Sequence, residues 1–490
     1  MKKIQKIIIY LVISFFAFSC HNGLEPEVYN EISPSTFYKA EEDVTAAVTA
    51  MYSPFSATGW GAIFSTTQGG YPVFTEMATD VMDCQWGDGG SWSTIDEFRW
   101  LPTTNSVTSF YNRYNHISAI TLTLNRMEPV EMNEELKKRY VAELKAARGW
   151  LAFMIYDLYG PFTVAPLEVL QNPQEEVIIE RPTKEWMVSY IETDLKDAVS
   201  ELPLSYEEQD WGRFTKGTVL MVMLKLYMHE KKWSEAVGVA EQLTAMGYEL
   251  MDDYASVFTL ENVRNKEIIY AVPCNENWGQ MWHAHVLPYN FPTNNTNIQK
   301  WSGYRMPWSF YDTFEDEDAR LEVIISEYEG TDGGHFDRDN PGAHFVKGAI
   351  PMKYGEDPAQ VGANSAIDWI VFRYADVLLS LAEAKAHVAG APDQECIDLV
   401  NQVRVRAQLD PVALADYASL EAFNDLVLLE RGHELFNEGY RRQDLIRHGK
   451  FLEKAQGVPG ALPESYKVLF PVPQGIINEG QGKVIQNEGY

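Results

Sequence analysis

"EELKKRYVAELKAARGWLAFMIYDLY", residues 134–159, is the stretch that decides the fold class of this chain. Its apolar residues recur every three or four positions, at Leu144, Ala147, Leu151, Ile155 and Leu158. This spacing puts them on one face of an α-helix, because a helix turns once in about 3.6 residues. We predict a long amphipathic helix that buries this face against neighbouring helices.

Further amphipathic segments follow along the chain. Residues 183–202, 215–230 and 232–247 repeat the pattern. In the last segment Ala236 lies on the apolar face, and Gly247 stands where a helix commonly ends. Small residues on one helix that face large ones on the next, at a period of about 34–40 residues, are typical of tetratricopeptide-type stacking.

The helices fall into two blocks, at about 105–260 and about 366–450. Between them, residues 262–362 are rich in Trp, Asn, Pro and Gly and have no sustained period. Loops of that length inside a compact protein are usually functional. The predicted fold is therefore α-rich, with about four tetratricopeptide-like helix pairs that support long irregular loops with minor β structure, in one domain over 36–490.

Residues 1–19 have the pattern of a secretory signal peptide, with three lysines before an apolar core. The apolar run is short for a hydrocarbon layer about 30 Å thick, which favours a cleaved signal over an anchor helix. Cys20 directly follows Ser19 and resembles the acylated cysteine of bacterial lipoproteins. We predict lipidation of Cys20 and a tether over 20–35. The alternative is ordinary cleavage after Ser19, which leaves the cysteine unmodified.

Composition excludes some classes of protein. Without the three signal-peptide lysines, the formal charge changes from −30 to −33. Such a surface repels phosphate backbones, so we expect no nucleic-acid partner. The aromatic content of 13% is too high for a disordered acidic chain. After Cys20 only Cys84, Cys274 and Cys396 remain, without CxxC spacing, which argues against a disulfide scaffold and a structural zinc site.

Motifs for catalysis or metal binding are weak. No GxSxG, GxxxxGK[ST] or GxGxxG pattern is present. In "GHELF" (432–436) the second histidine of a zinc protease is missing, because position 437 is Asn. His283 and His285 share one side of a segment that we expect to be extended, but no third ligand is evident. We therefore predict no catalytic residue, no cofactor and no metal.

Aromatic residues are the remaining signal. Tryptophans and one tyrosine occur beside Gly, Asn, Gln and Asp in segments without helical periodicity: Trp60, Trp86, Trp92, Trp278, Trp282, Trp301, Tyr304 and Trp308. Flat apolar rings next to short polar side chains suit a sugar, whose ring has apolar faces and hydroxyl edges. The alternative is that these rings anchor loops onto the helical core.

Several spaced motifs resemble one family. They are "FYKAEEDVTAAVTAMYSPF" (37–55), "SFYDTFEDEDARL" (309–321), "FRYADVLLSLAEAKAHVAG" (372–390), "LLERGHELFNEGYRRQDLIRHGKF" (428–451) and "VLFPVPQGIINEGQGKVIQNEGY" (468–490). Together they resemble the SusD/RagB family of outer-membrane nutrient-binding lipoproteins. Asp376 and Ile476 stand where the family usually has Glu, and Glu488 where it has Pro.

The resemblance implies a function. Members of this family are lipid-anchored at the surface of Gram-negative bacteria, where they cap a SusC-like TonB-dependent transporter. They deliver oligosaccharides, and in some members peptides, to that transporter, and they are not enzymes. The resemblance also implies that Arg442 and Asp444 are ion-paired helix ends and that Pro471 and Pro473 belong to an extended tail that docks on the fold.

Ligand residues do not transfer by motif, but the family's aromatic platforms come from the loops where this chain keeps its tryptophans. We predict that a sugar stacks on some of Trp86, Trp92, Trp278, Trp282 and Trp301. Predicted hydroxyl partners are Asp88, Asn275 and Asn277. Two other functions stay open, a surface glycoside hydrolase and a helical-repeat adaptor that binds protein or peptide.

Overall fold

The structure is a computed structural model that describes residues 37–59, 61–87, 92–455, 462 and 464–490. The predicted signal peptide, the lipidation site Cys20, the tether and Asp88 lie outside the described residues. No helix in the described ranges is long and apolar enough to cross a bilayer.

The fold is α-rich, as predicted. Its helices are α1 Glu41–Met51, α2 Tyr71–Glu76, α3 Trp92–Asp96, α4 Asn105–Tyr111, α5 Tyr114–Met127, α6 Glu134–Tyr159, α7 Leu167–Gln171, α8 Lys184–Val199, α9 Lys216–His229, α10 Trp233–Thr244, α11 Trp282–Val286, α12 Trp308–Tyr311, α13 Tyr374–Ala389, α14 Gln394–Arg406, α15 Leu420–Leu435, α16 Arg441–Arg447, α17 Phe451–Ala455 and α18 Gln474–Glu479. Its strands are β1 Asp83–Cys84, β2 Ile268–Val272, β3 Tyr304–Pro307, β4 Ile324–Ile325, β5 Tyr328–Glu329, β6 His335–Phe336, β7 Gly348–Pro351 and β8 Trp369–Arg373.

The quoted stretch forms α6, the longest described helix. Asn133 caps its start by accepting a hydrogen bond from the Leu136 amide at 2.9 Å. Its end lies at Gly160, whose φ of +72° favours glycine. Because α6 is apolar over most of its second half, it contacts α5 on one side and α8 on the other. It is the centre of the first helical block.

The two helical blocks form one continuous array. Helix α8 packs on α9, α9 on α10, and α10 directly on α13, which begins the second block. Helix α13 then contacts both α14 and α15. Residues 262–362 are therefore an insertion between two helices that are neighbours in space, so the array holds both ends of the loop region.

The insertion contains more strand than the sequence indicated. Strands β3, β7 and β4 of the insertion form an antiparallel sheet with β1, which precedes the insertion, in the order β1, β3, β7, β4. Strand β2 of the insertion pairs with β8, which follows it. The predicted second helical block begins with strand β8 rather than helix. Its sequence WIVFR is rich in β-branched and aromatic residues and is fully buried.

Charged side chains fill part of the core between the array and the insertion. Arg373 is buried and bonds to the carboxylates of Glu267, Glu434 and Glu438. Arg320 bonds in the same way to Asp318, at 2.7 Å. Carboxylates compensate both of these buried cations, because an unpaired charge is costly in a low-dielectric interior.

The C-terminal motifs have the structural roles that the resemblance implied, with one correction. Arg442 and Asp444 are both ion-paired, but not to each other. Arg442 pairs with Asp157 on α6 at 3.0 Å, and Asp444 pairs with Arg431 at 2.8 Å. The tail docks on the array, where the amide of Phe470 donates to the carbonyl of Leu158 at 2.8 Å.

Candidate ligand-binding site

Five aromatic side chains, two from the segment after β1 and three from the loop region, meet in one cluster. The ring of Trp86 contacts Trp92, His285 and Tyr304 at centroid distances of 5.3, 5.6 and 5.6 Å. Trp301 meets His285 edge-on at 4.9 Å. The cluster joins the loop after β1 to the segment before β3, so distant parts of the sequence build one surface.

Hydrogen bonds to backbone carbonyl groups hold Trp86 and the Trp301 segment in place. The indole nitrogen of Trp86 donates to the carbonyl of Trp301 at 3.0 Å. The amide of Trp301 donates to the carbonyl of Ala284 at 2.7 Å. Gly303 is required beneath Trp86, because a Cβ atom at this position would lie 2.3 Å from the indole ring. The chain therefore fixes Trp86 and Trp301 relative to each other.

Two of the predicted stacking residues are core residues instead. Trp282 is 1% exposed and donates its indole hydrogen to the carbonyl of Pro351 at 2.9 Å. Trp92 is also buried, beneath Trp86. Neither ring offers a free face to a ligand. For these two residues the alternative interpretation, loop anchoring, is the one that the structure supports.

The histidines of "WHAH" are also structural. They lie in the short helix α11, not in an extended segment. His283 bonds through Nε2 to the carbonyl oxygen of Tyr354, and burial lowers the pKa of His285 to about 4. Within the described residues, no group of three or more His, Cys, Asp and Glu side chains is placed to hold a metal ion.

Exposed rings lie at the edge of the cluster. Trp301 is 39% exposed, Trp86 is half-buried, and Tyr289 is 70% exposed. Tyr289 meets His344 edge-on at 5.0 Å, and His344 lies within hydrogen-bonding distance, 3.2 Å, of Ser302 Oγ. We call Trp86, Tyr289 and Trp301 the aromatic platform. Sequence reasoning missed Tyr289, although it stands in the same loop region.

Trp278 is separate from the platform. It is 67% exposed and, among the described residues, pairs with no other ring. Asn275 fixes its turn, because Asn275 Oδ1 accepts hydrogen bonds from the amides of Asn277 and Trp278, both at 2.9 Å. This predicted hydroxyl partner therefore supports the backbone turn, whereas the side chain of Asn277 is exposed.

Beside Trp278 lies a cleft of about 960 Å³, which we call the Trp278 cleft. One wall is the alanine face of α1, and the other is α5 with the residue before it. Arg113, His116 and Arg126 line the second wall. Sequence reasoning did not single out these residues, because they lie in a helical block and looked like ordinary surface charge.

Family comparisons agree with this architecture. A family model described as "SusD family" matches residues 266–490, and one described as "Starch-binding associating with outer membrane" matches residues 28–228. The chain belongs to the SusD family. The resemblance predicted from the spaced motifs is confirmed.

Individual relatives match over nearly the whole chain. SusD-like protein P25 from Formosa agariphila is 25% identical, over 96% of both chains. The crystal structure of a SusD-like protein from Bacteroides fragilis has a TM-score of 0.77 at 21% identity, over 93% of this chain and 98% of that chain. Surface glycan-binding protein A from Bacteroides thetaiotaomicron, in complex with laminarihexaose, has a TM-score of 0.74 at 20% identity, over 92% and 100%. The structural likenesses establish the fold.

A carboxylate pair lies at the base of the platform loop of this SusD-family chain. Asp83 and Asp96 both approach the ammonium group of Lys347, at 2.6 and 3.9 Å. Burial, together with the neighbouring charge of Asp83, raises the pKa of Asp96 to about 8. The side chain of Asp96 is only 4% exposed. The pair lies at the base of the loop that carries Trp86, and of the two carboxyl groups Asp96 is closed to a sugar, whereas Asp83 is partly exposed.

Proposed function

We propose that this protein is a cell-surface glycan-binding lipoprotein, which captures an oligosaccharide and delivers it to a SusC-like TonB-dependent transporter. The observation that carries the proposal is the exposure of Trp278, Tyr289 and Trp301 on loops that the helical array holds at both ends. Membership of the SusD family, and a structural neighbour whose title records bound laminarihexaose, support the same conclusion.

The exposed rings suit reversible capture. A sugar presents an apolar face to an indole and keeps its hydroxyl groups in water. By analogy with the stacking of nucleic-acid bases, each ring contributes on the order of 1–3 kcal/mol. Two such contacts correspond to a dissociation constant of roughly the millimolar range, which allows release to a transporter.

The arrangement of the carboxyl groups near the aromatic platform supports a protein that binds a glycan without cleaving it. Glycoside hydrolysis needs two carboxyl groups on either side of the scissile bond, roughly 5–10 Å apart. Asp83 and Asp96 are held together by Lys347, and Asp96 is buried. A sugar on Trp301 therefore has no access to both carboxyl groups, and we propose that the protein is not an enzyme.

The N-terminus supports the proposed location. Acylation of Cys20 would add about 0.8 kcal/mol of membrane affinity per buried methylene, so two or three acyl chains anchor the protein stably. The matching family model described as associating with the outer membrane points to the same surface. We propose that this anchor keeps the protein beside its transporter.

Binding and product analysis on one glycan panel tests the proposal. The mature protein is titrated calorimetrically with oligosaccharides, and each glycan is recovered and sized afterwards. We expect binding of at least one glycan class with its length unchanged. Shortened products would establish a hydrolase. Retained transporter binding without binding of any glycan would favour the protein-interaction adaptor.

A further inference from the structure

The Trp278 cleft differs in charge from the rest of the molecule. The chain has 70 acidic residues, yet none of the described residues that line this cleft is Asp or Glu. Its wall contains Arg113, His116 and Arg126 instead. Another surface groove, beside α14, is lined by Glu249, Asp252 and Asp398. The Trp278 cleft is thus a basic site in a strongly acidic protein.

The two arginines of the cleft lack partners in the part of the chain that the structure describes. Every other arginine in the described ranges forms an ion pair or donates a side-chain hydrogen bond, and Arg113 and Arg126 do neither. The Nε atom of Arg113 is buried with no acceptor. Burial lowers the pKa of Arg113. A buried guanidinium donor without an acceptor is costly, and an anionic oxygen is its strongest partner.

The shape of the cleft leaves room for a ligand between the basic wall and the tryptophan. On the opposite wall, α1 contributes the short side chains of Ala46, Ala47 and Ala50, together with Met51. At the α5 wall, Thr123 Oγ1 lies 3.1 Å from the hydroxyl oxygen of Tyr38, which also lines the cleft. Trp278 lies on the lining with its ring 67% exposed.

We propose that the Trp278 cleft binds an acidic oligosaccharide, with carboxylate or sulfate groups of different sugar units on Arg113 and Arg126, which lie about 20 Å apart along α5, and with a sugar ring on Trp278. This inference rests on the proposed glycan-capture function and adds the charge class of the ligand. Planar guanidinium groups pair with carboxylate and sulfate oxygens through two parallel hydrogen bonds.

Three oligosaccharides of equal length test the proposal on the mature protein: a uronic-acid oligomer, a sulfated oligomer and the uncharged counterpart. We expect at least one acidic oligomer to bind about tenfold more tightly than the uncharged one, and added salt to reduce the difference. The arm that binds more tightly distinguishes carboxylate from sulfate. Equal affinity for all three, without salt dependence, would overturn the proposal and leave glycan capture intact.

Variants locate the effect. In the double variant R113Q/R126Q the preference for the acidic oligomer over the uncharged one should disappear. R264Q is the matched control, because Arg264 is an exposed arginine that pairs with Glu208 elsewhere on the surface. An unchanged preference in R113Q/R126Q would overturn the proposal. Absence of binding by any oligomer would instead refute the proposed function itself.

The chain's own acidic tether is the competing occupant of the cleft. It carries Glu25, Glu27 and Glu31 shortly before Phe37, which lines the cleft. The full mature chain with E25Q/E27Q/E31Q separates the two occupants. Unchanged affinity for the acidic oligomer supports a cleft open to sugar. Acidic-sugar binding that appears only in this variant would show that the tether fills the cleft, and would overturn the proposal.

Discussion

The buried core behind β8 and the Trp278 cleft both contain arginines. The core arginines are paired with carboxylates, whereas the cleft arginines pair with no described carboxylate. In the core, Arg373 bonds to three carboxylates, and Arg320 to Asp318 and Glu430. In the cleft, Arg113 and Arg126 face alanines and a tryptophan. The core arginines are compensated within the fold, whereas the side chains of the cleft arginines donate to none of the described residues. The first set stabilises the fold, and the second set is available to a ligand.

The largest effect on stability is expected when one of the paired core arginines is replaced. R373M removes the cation that the carboxylates of Glu267, Glu434 and Glu438 share. Arg406 still pairs with the first two and Lys353 with the third, so the three carboxylates keep less compensating charge than in the wild type. We expect the free energy of unfolding to fall by about 3–5 kcal/mol, as for other buried pairs that lose one partner. Urea denaturation measures this loss. K138M, which removes an exposed cation paired with Glu135, should leave the midpoint unchanged. Equal effects of both variants would contradict the structural role of the core.

A smaller effect, on glycan affinity, is expected when an exposed ring of the aromatic platform is removed. W301A removes an exposed ring whose backbone, rather than its side chain, fixes the loop. Glycan affinity should fall by about 1–3 kcal/mol, with little change in stability, because a stacking surface is lost. The matched control is W186A, since Trp186 is 47% exposed on α8, outside the loop region. Calorimetric titration compares them, and loss of affinity in the control would refute the assignment.

The smallest effect is expected at Glu76, a buried carboxyl group that forms no ion pair with the described residues. Glu76 accepts hydrogen bonds from the amides of Gly439 and Tyr440, at 2.6 and 2.8 Å. Burial raises the pKa of Glu76 from 4.5 to about 8. Its contribution to stability is therefore complete below pH 4.5 and is lost as the pH rises through about 8.

The glutamine side chain of E76Q does not ionise, so its contribution to stability does not change with pH. The stability of the wild type relative to E76Q should therefore be greater at pH 6 than at pH 9. Urea denaturation of both proteins at the two pH values measures this difference. A constant difference would mean that Glu76 does not titrate in this range and would contradict its burial as a neutral acid.

The sequence predicted the helical array well, because its evidence is local. In α6, Leu144, Leu151 and Leu158 repeat at helical spacing, and spacing survives whatever the helix packs against. The direct contact of α10 with α13 was not predictable from pattern alone, since more than a hundred residues separate them in sequence.

The site was predicted less completely, because exposure depends on distant partners. Trp278 and Trp282 are four residues apart in the same non-periodic stretch of sequence, yet Trp278 is 67% exposed and Trp282, in α11, is 1% exposed. The carbonyl of Pro351, which binds Trp282, comes from a strand much later in the chain. Arg113 gave no sequence signal, because only the fold shows that no carboxylate of the described residues pairs with it.

Hydrogen–deuterium exchange on the mature protein, with and without the tightest-binding oligosaccharide of the panel, tests the central claim most directly. We predict slower exchange in residues 273–281 and 297–303, which carry Trp278 and Trp301, and unchanged exchange in α13 to α16. Protection confined to α13 to α16, with the two loops unaffected, would contradict a ligand site on the loops.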